Sequence, residues 1–119
     1  MRFMRRLTFA IALALIAAPA SATGGLVCRT AGAQPLVLSL GFGHVPGSPL
    51  ILTHLTDNGR QVPVQSAQWW LDNREMRVVL VSPNALREEA TMRARRNGYV
   101  FDGSIVRAGR SRWVRCRED

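Results

Sequence analysis

The chain has 119 residues, is 47% hydrophobic and 20% charged, and carries a formal charge of +8 from sixteen basic and eight acidic residues. That length suits one small domain, and a hydrophobic fraction close to that of ordinary globular proteins excludes a disordered or collagen-like chain. Two cysteines, with no glycine-rich phosphate loop and no G-x-S-x-G elbow, exclude a cysteine-built zinc module and the commonest nucleotide-binding and hydrolase motifs.

The first segment is MRFMRR, then the apolar run LTFAIALALIAA, then PASA with Ala20 and Ala22 in an A-x-A arrangement. A charged start, a short apolar core and small residues at the end predict a secretory signal peptide over 1–22, cleaved to leave residues 23–119 as a single small β domain. The apolar run is short for a bilayer span and no second one follows, so no stable transmembrane segment is expected after cleavage. The expected location is periplasmic or secreted. Three arginines belong to the leader, which leaves the domain at +5. Cys28 is preceded by Leu26 and Val27 rather than by small residues, so it does not read as a lipid-attachment cysteine.

Beyond the leader, turn signals divide the sequence. TDNGR (56–60) and RRNGYV (95–100) each contain Asn-Gly, the strongest short hairpin signal, because both residues accept positive φ. Ala108-Gly109 and Asp72-Asn73 mark two more turns. Between them, hydrophobic residues alternate. Leu36, Leu38, Leu40 and Phe42 share one face, as do Met76, Val78 and Leu80, and then Tyr99, Phe101 and Ile105. The pattern predicts an all-β fold: a small antiparallel meander of about eight strands, barrel or sandwich, at 26–30, 35–42, 49–57, 60–70, 74–82, 88–96, 99–107 and 110–117. The stretch 83–96 carries a competing helix signal, with Ser82 as N-cap, Pro83 at the first position and Gly98 beyond the end. Against it, Ala90, Met92 and Ala94 alternate with Thr91, Arg93 and Arg95, which favours a strand after a turn at 83–87.

The two histidines do not form a constellation. His54 lies in the apolar strand LILTHLT and His44 in the loop GFGHVPGSP, with no acidic or cysteine cluster to complete a metal site, so no catalytic residue, metal or other cofactor is assigned. In QSAQWWLD, Trp69 and Trp70 must face opposite sides of a strand, one to the core and one outward, and the pair is a candidate protein interface. Trp113, between Arg112 and Arg115, poses the same question. All sixteen basic residues are arginine. Arg93 and Arg95 point the same way, Arg107 and Arg110 flank the next turn, and Arg115 and Arg117 alternate with Cys116. Arg93, Arg95, Arg107, Arg110 and Arg115 therefore form a candidate anion-binding surface, because guanidinium groups take carboxylate and phosphate bidentately.

Cys28 and Cys116 stand at opposite ends of the domain. In an exported protein one disulfide between them is expected, and closing nearly the whole chain would restrict the unfolded state by roughly 4–5 kcal/mol. It would also join the first strand to the last, which is what a closed meander needs. A cysteine just after a signal peptide, a cysteine at the end and a strand meander between them are similar in layout to the periplasmic inhibitors of C-type lysozyme. That resemblance implies a small antiparallel barrel presenting a loop to a partner enzyme. The family's serine- and lysine-bearing loop has no counterpart in this lysine-free chain, so no residue role is carried over. Two readings result: a non-enzymatic, monomeric, protein-binding or inhibitor-like module of the bacterial envelope, or an arginine-rich accessory protein that binds anionic envelope polymers or lipid head groups. Nucleic acid is not an expected partner of an exported chain.

Overall fold

A computed structural model describes residues 23–43 and 50–119. Residues 1–22, where the sequence predicts a leader, and His44 lie outside these residues. Among the described residues every regular element is a β-strand: β1 Thr23–Thr30, β2 Leu36–Gly43, β3 Leu50–Asp57, β4 Arg60–Val62, β5 Gln65–Leu71, β6 Glu75–Val81, β7 Glu88–Asn97, β8 Val100–Arg107 and β9 Arg110–Glu118. All pairings are antiparallel, in the order β4-β3-β2-β1-β9-β8-β7-β6-β5, and the sheet curls into a half-barrel.

The described residues form nine strands rather than eight because the segment 60–70 breaks at Pro63. Proline has no N–H to donate to a ladder, so β4 stays with β3 while β5 pairs only with β6. The first and last strands do pair, with Cys28 directly opposite Cys116, and a disulfide joins them in the core. The sheet's two edges are therefore β4 and β5, in mid-sequence. Across this opening Phe42 of β2 packs on Trp69 of β5, ring centroids 5.6 Å apart, and draws the two limbs together.

Alternation sets what lies inside. Leu26 and Cys28 of β1, Leu36, Leu38 and Leu40 of β2, Met76, Val78 and Leu80 of β6, and Ala90, Met92 and Ala94 of β7 are all buried. On β8 the buried set is Phe101 and Ile105, whereas Tyr99 is 96% exposed. Its expected place in the strand is corrected by the turn. The hairpin pairs Asn97 with Val100, so Gly98 and Tyr99 are the two turn residues, with positive φ at Gly98 only. That is the type II′ pattern, and it moves Asn97 into β7. By contrast Asn58-Gly59 and Ala108-Gly109 have positive φ at both positions, the type I′ pattern.

Residues 83–96 resolve as a turn followed by a strand. The Ser82 hydroxyl accepts the Arg87 N–H at 3.1 Å, and Ser82 and Arg87 also bond backbone to backbone at 2.8 Å, which closes the turn without a helix. In β8, Gly103 faces Ala94 of β7 across a close approach: a Cβ there would lie 1.9 Å from the Arg93 carbonyl oxygen. A side chain at 103 would force β7 and β8 apart.

Candidate functional site

The inward and outward parities of the strands sort the candidate residues. Trp69 is opposite Val78 and faces the core, half-buried against Phe42. It therefore leaves the candidate interface. Trp70 is opposite Arg77 and faces out, 53% exposed. Its indole Nε1 donates to Asp72 Oδ2 at 3.0 Å, while Asp72 Oδ1 accepts the N–H groups of Arg74 and Glu75 at 2.7 and 2.8 Å. These bonds to the Glu75 and Arg74 backbone hold the Asp72 carboxyl below its ordinary pKa. The turn thus fixes the orientation of the exposed ring.

Arg107 and Arg110 also leave the candidate surface, because both lie on the inward parity of their strands. Arg107 is two residues from buried Ile105, and Arg110 is its hairpin partner, exposed at the turn. The Arg107 guanidinium is committed: Nε donates to Asp57 at 2.9 Å and one terminal nitrogen to Glu89 at 2.8 Å. Burial alone would lower its pKa, but bonds to the two carboxylates more than offset that and raise it. Arg112 on the same parity donates to the Ala31 and Gln34 carbonyls at 3.1 and 3.0 Å and fixes the β1–β2 turn.

Arg93, Arg95, Arg115 and Arg117 face out, joined by two arginines, Arg29 and Arg77, that sequence reasoning did not bring to this surface. Two lateral rows cross the convex face. One runs Trp70–Arg77–Arg93–Ser104–Trp113 over β5 to β9. The other runs Glu75–Arg95–Asp102–Arg115–Arg29 over β6 to β9 and on to β1. Arg117, opposite Val27, lies beside the end of the second row. Arg29 and Arg77 become visible as members only once the register is known, since each is the lone arginine of its strand.

Charge along these rows is uneven. Glu75 binds Arg77 at 2.6 Å, and Asp102 binds Arg115 through two bonds at 2.6 and 3.0 Å while accepting from Asn97 at 3.0 Å. The Arg115 contact is the main reason that the Asp102 carboxyl titrates at about 2. Among the described residues Arg29, Arg93, Arg95 and Arg117 have no carboxylate within ion-pair distance. Arg77 stands directly opposite Arg93, and Arg29 directly opposite Arg115. Like charges in directly opposed positions repel.

Each opposed pair borders a shallow depression with a tryptophan on its rim. The first lies among Gln68, Trp70, Arg77, Val79, Thr91 and Arg93. The second lies among Val27, Arg29, Trp113, Arg115 and Arg117. Trp113 is 53% exposed and carries the Arg115 guanidinium over its ring at 5.1 Å. Trp70 is free of such a cover among the described residues.

His54 is half-buried on the outer side of β3, opposite Ser39. No group of three His, Cys, Asp or Glu side chains that would hold a metal ion occurs among the described residues, and no helix there is long and apolar enough to cross a membrane. No protein-family model matches this chain, and neither a curated protein nor a solved structure matches it.

Proposed function

We propose that this chain is a non-enzymatic binding protein of an oxidising compartment outside the cytoplasm, and that its convex tryptophan–arginine face takes an anionic ligand. The observation that carries the reading is the pair of directly opposed arginines, found twice. In each pair one guanidinium is engaged by a carboxylate and the other is left without one. A sheet that keeps two such like-charged pairs in register gains from an external anion that bridges each pair. The buried disulfide and the signal-like leader support a location in the periplasm or outside the cell.

A second reading is favoured by Trp70, a half-exposed indole held in place by its own turn, as protein-interface anchors often are. In that reading the chain is a protein-binding, inhibitor-like module, in keeping with its layout. The turn of Trp69 into the core removes half of the aromatic patch that this reading uses.

The test is adsorption of residues 23–119 to an anionic resin, and capture of partners from an envelope extract, in graded salt. Steep loss of binding with ionic strength, abolished by Arg29→Glu with Arg93→Glu, supports the anion reading. A discrete protein retained at high salt by wild type and lost with Trp70→Ala supports the second.

A further inference from the structure

The two depressions share their parts and differ at the indole: the Arg115 guanidinium covers one face of the Trp113 ring at 5.1 Å, whereas Trp70 has no such cover among the described residues. Each joins an exposed tryptophan to a directly opposed arginine pair, Trp70 with Arg77 and Arg93, and Trp113 with Arg29 and Arg115. In each pair the second arginine is anchored from its own neighbourhood, Arg77 by Glu75 and Arg115 by Asp102, so the free guanidinium works beside a fixed one. Trp70 and Trp113 lie in one lateral row, four strand steps apart, which is about 19 Å along the sheet.

We infer that the convex face is a two-subsite track for an acidic polysaccharide. This rests on the anion-binding reading and names its ligand class. An indole binds a flat ring face through its π-cloud, and the C–H face of a pyranose is such a surface. Paired guanidiniums take a carboxylate, sulfate or phosphate through parallel N–H···O bonds. A ligand that satisfies both halves twice, at a fixed spacing, carries rings and anions in repetition. An acidic glycan has that chemistry. A globular acidic partner has no reason to repeat it, and a phosphate chain without rings has no use for the tryptophans. Single-stranded nucleic acid shares the ring-and-anion chemistry, but on the exported reading, which the disulfide-joined seam supports, it is not the ligand the domain meets. Ser104, between Arg93 and Trp113 in the row, adds a hydroxyl where a sugar would cross from one subsite to the other. Arg95 flanks the crossing from the second row.

Two subsites on one chain make the second contact intramolecular, so affinity should climb with ligand length once both are spanned. The experiment uses residues 23–119 with the disulfide intact. The probes are oligogalacturonates of two to eight units, neutral dextran, polyphosphate, oligo-dT and anionic lipid vesicles, at low and moderate salt. The expected result is weak binding of the shortest acidic sugar and at least tenfold tighter binding of the longest. Trp70→Ala and Trp113→Ala should each remove that gain while leaving the disulfide and the circular dichroism spectrum unchanged. Arg93→Gln and Arg29→Gln should act likewise. Dextran should not bind. Polyphosphate binding as tight as the longest sugar, and indifferent to both tryptophan variants, would overturn the glycan track and leave anion binding standing. Tighter binding to oligo-dT or to vesicles than to every sugar would also overturn it. Failure of every anionic probe to bind at low salt would remove both the track and the anion-binding reading beneath it.

Discussion

Arg107 and Asp57 meet across the mouth of the curled sheet, Nε to Oδ2 at 2.9 Å, although β8 and β3 are four strands apart in the sheet order. The same guanidinium holds the Glu89 carboxylate of β7 at 2.8 Å and donates to the Glu89 carbonyl at 3.1 Å. One side chain thus ties three strands at the end of the half-barrel that carries the β8–β9 turn. Removing it would leave Glu89, whose side chain is only 10% exposed, without its main partner. Arg107→Ala should cost about 3 kcal/mol, read as a fall in the denaturant midpoint with an unchanged slope. Arg107→Ala with Glu89→Gln should recover part of that loss. A single variant as stable as wild type would show that the ion cluster does not hold the mouth.

The adjacent tryptophans should separate cleanly in stability. Trp69→Ala removes a ring packed on Phe42 and on the core and should cost about 3 kcal/mol, whereas Trp70→Ala should stay within about 0.5 kcal/mol of wild type. Chemical denaturation of the two variants measures this, and equal losses would mean that the parity of β5 is misassigned.

Strand parity was also the most legible property of the sequence. The alternation of Leu36, Leu38 and Leu40, and of Met76, Val78 and Leu80, identified buried faces because a half-buried strand repeats every two residues. Parity alone also places Arg107 inward, since it follows buried Ile105 by two residues. What could not be read was lateral register. That Arg77 stands beside Arg93, and Arg29 beside Arg115, depends on how hairpins of known turn length and one long-range seam align. The Gly98-Tyr99 turn shows how sensitive this is, since placing the turn one residue earlier puts Tyr99 in a strand. The break at Pro63 was visible as a residue type, but that each half would take a different neighbour is a tertiary outcome.

Acid should act on Asp102 later than on an ordinary aspartate. Its carboxyl titrates at about 2 in the folded chain instead of 3.8, chiefly because of Arg115. A depressed folded-state value means that the pair's contribution to stability is present above about pH 4 and is lost as pH falls through about 2. A carboxyl-carbon NMR titration should place the Asp102 midpoint near 2 in wild type, and Arg115→Gln should bring it back toward the ordinary value. An unshifted midpoint in wild type would dissolve the pair.

Reduction of Cys28–Cys116 releases a loop with a sequence separation of 88. The expected loss is about 4–5 kcal/mol, a large part of the total stability of a domain this small. Thermal melts with and without reductant, checked against the Cys28→Ser, Cys116→Ser double variant, should show the midpoint falling steeply in both cases. A fall equivalent to less than about 1 kcal/mol would mean that the β1–β9 ladder closes the seam by itself.

The break at Pro63 gives the chain a second natural place to begin and end. Asp119 donates its N–H to the Gly25 carbonyl at 3.1 Å, so a short linker can join residue 119 to residue 23. Opening the backbone between Pro63 and Val64 then cuts no strand, since β4 and β5 are already the two edges of the sheet. Such a circular permutant would keep every strand pairing while exchanging the seam held by the cysteines for a continuous covalent crossing. Its ends would lie beside the opening that Phe42 and Trp69 now bridge. In topological terms the domain is a ring with a notch, and its backbone can be opened at the notch as well as at the stapled seam.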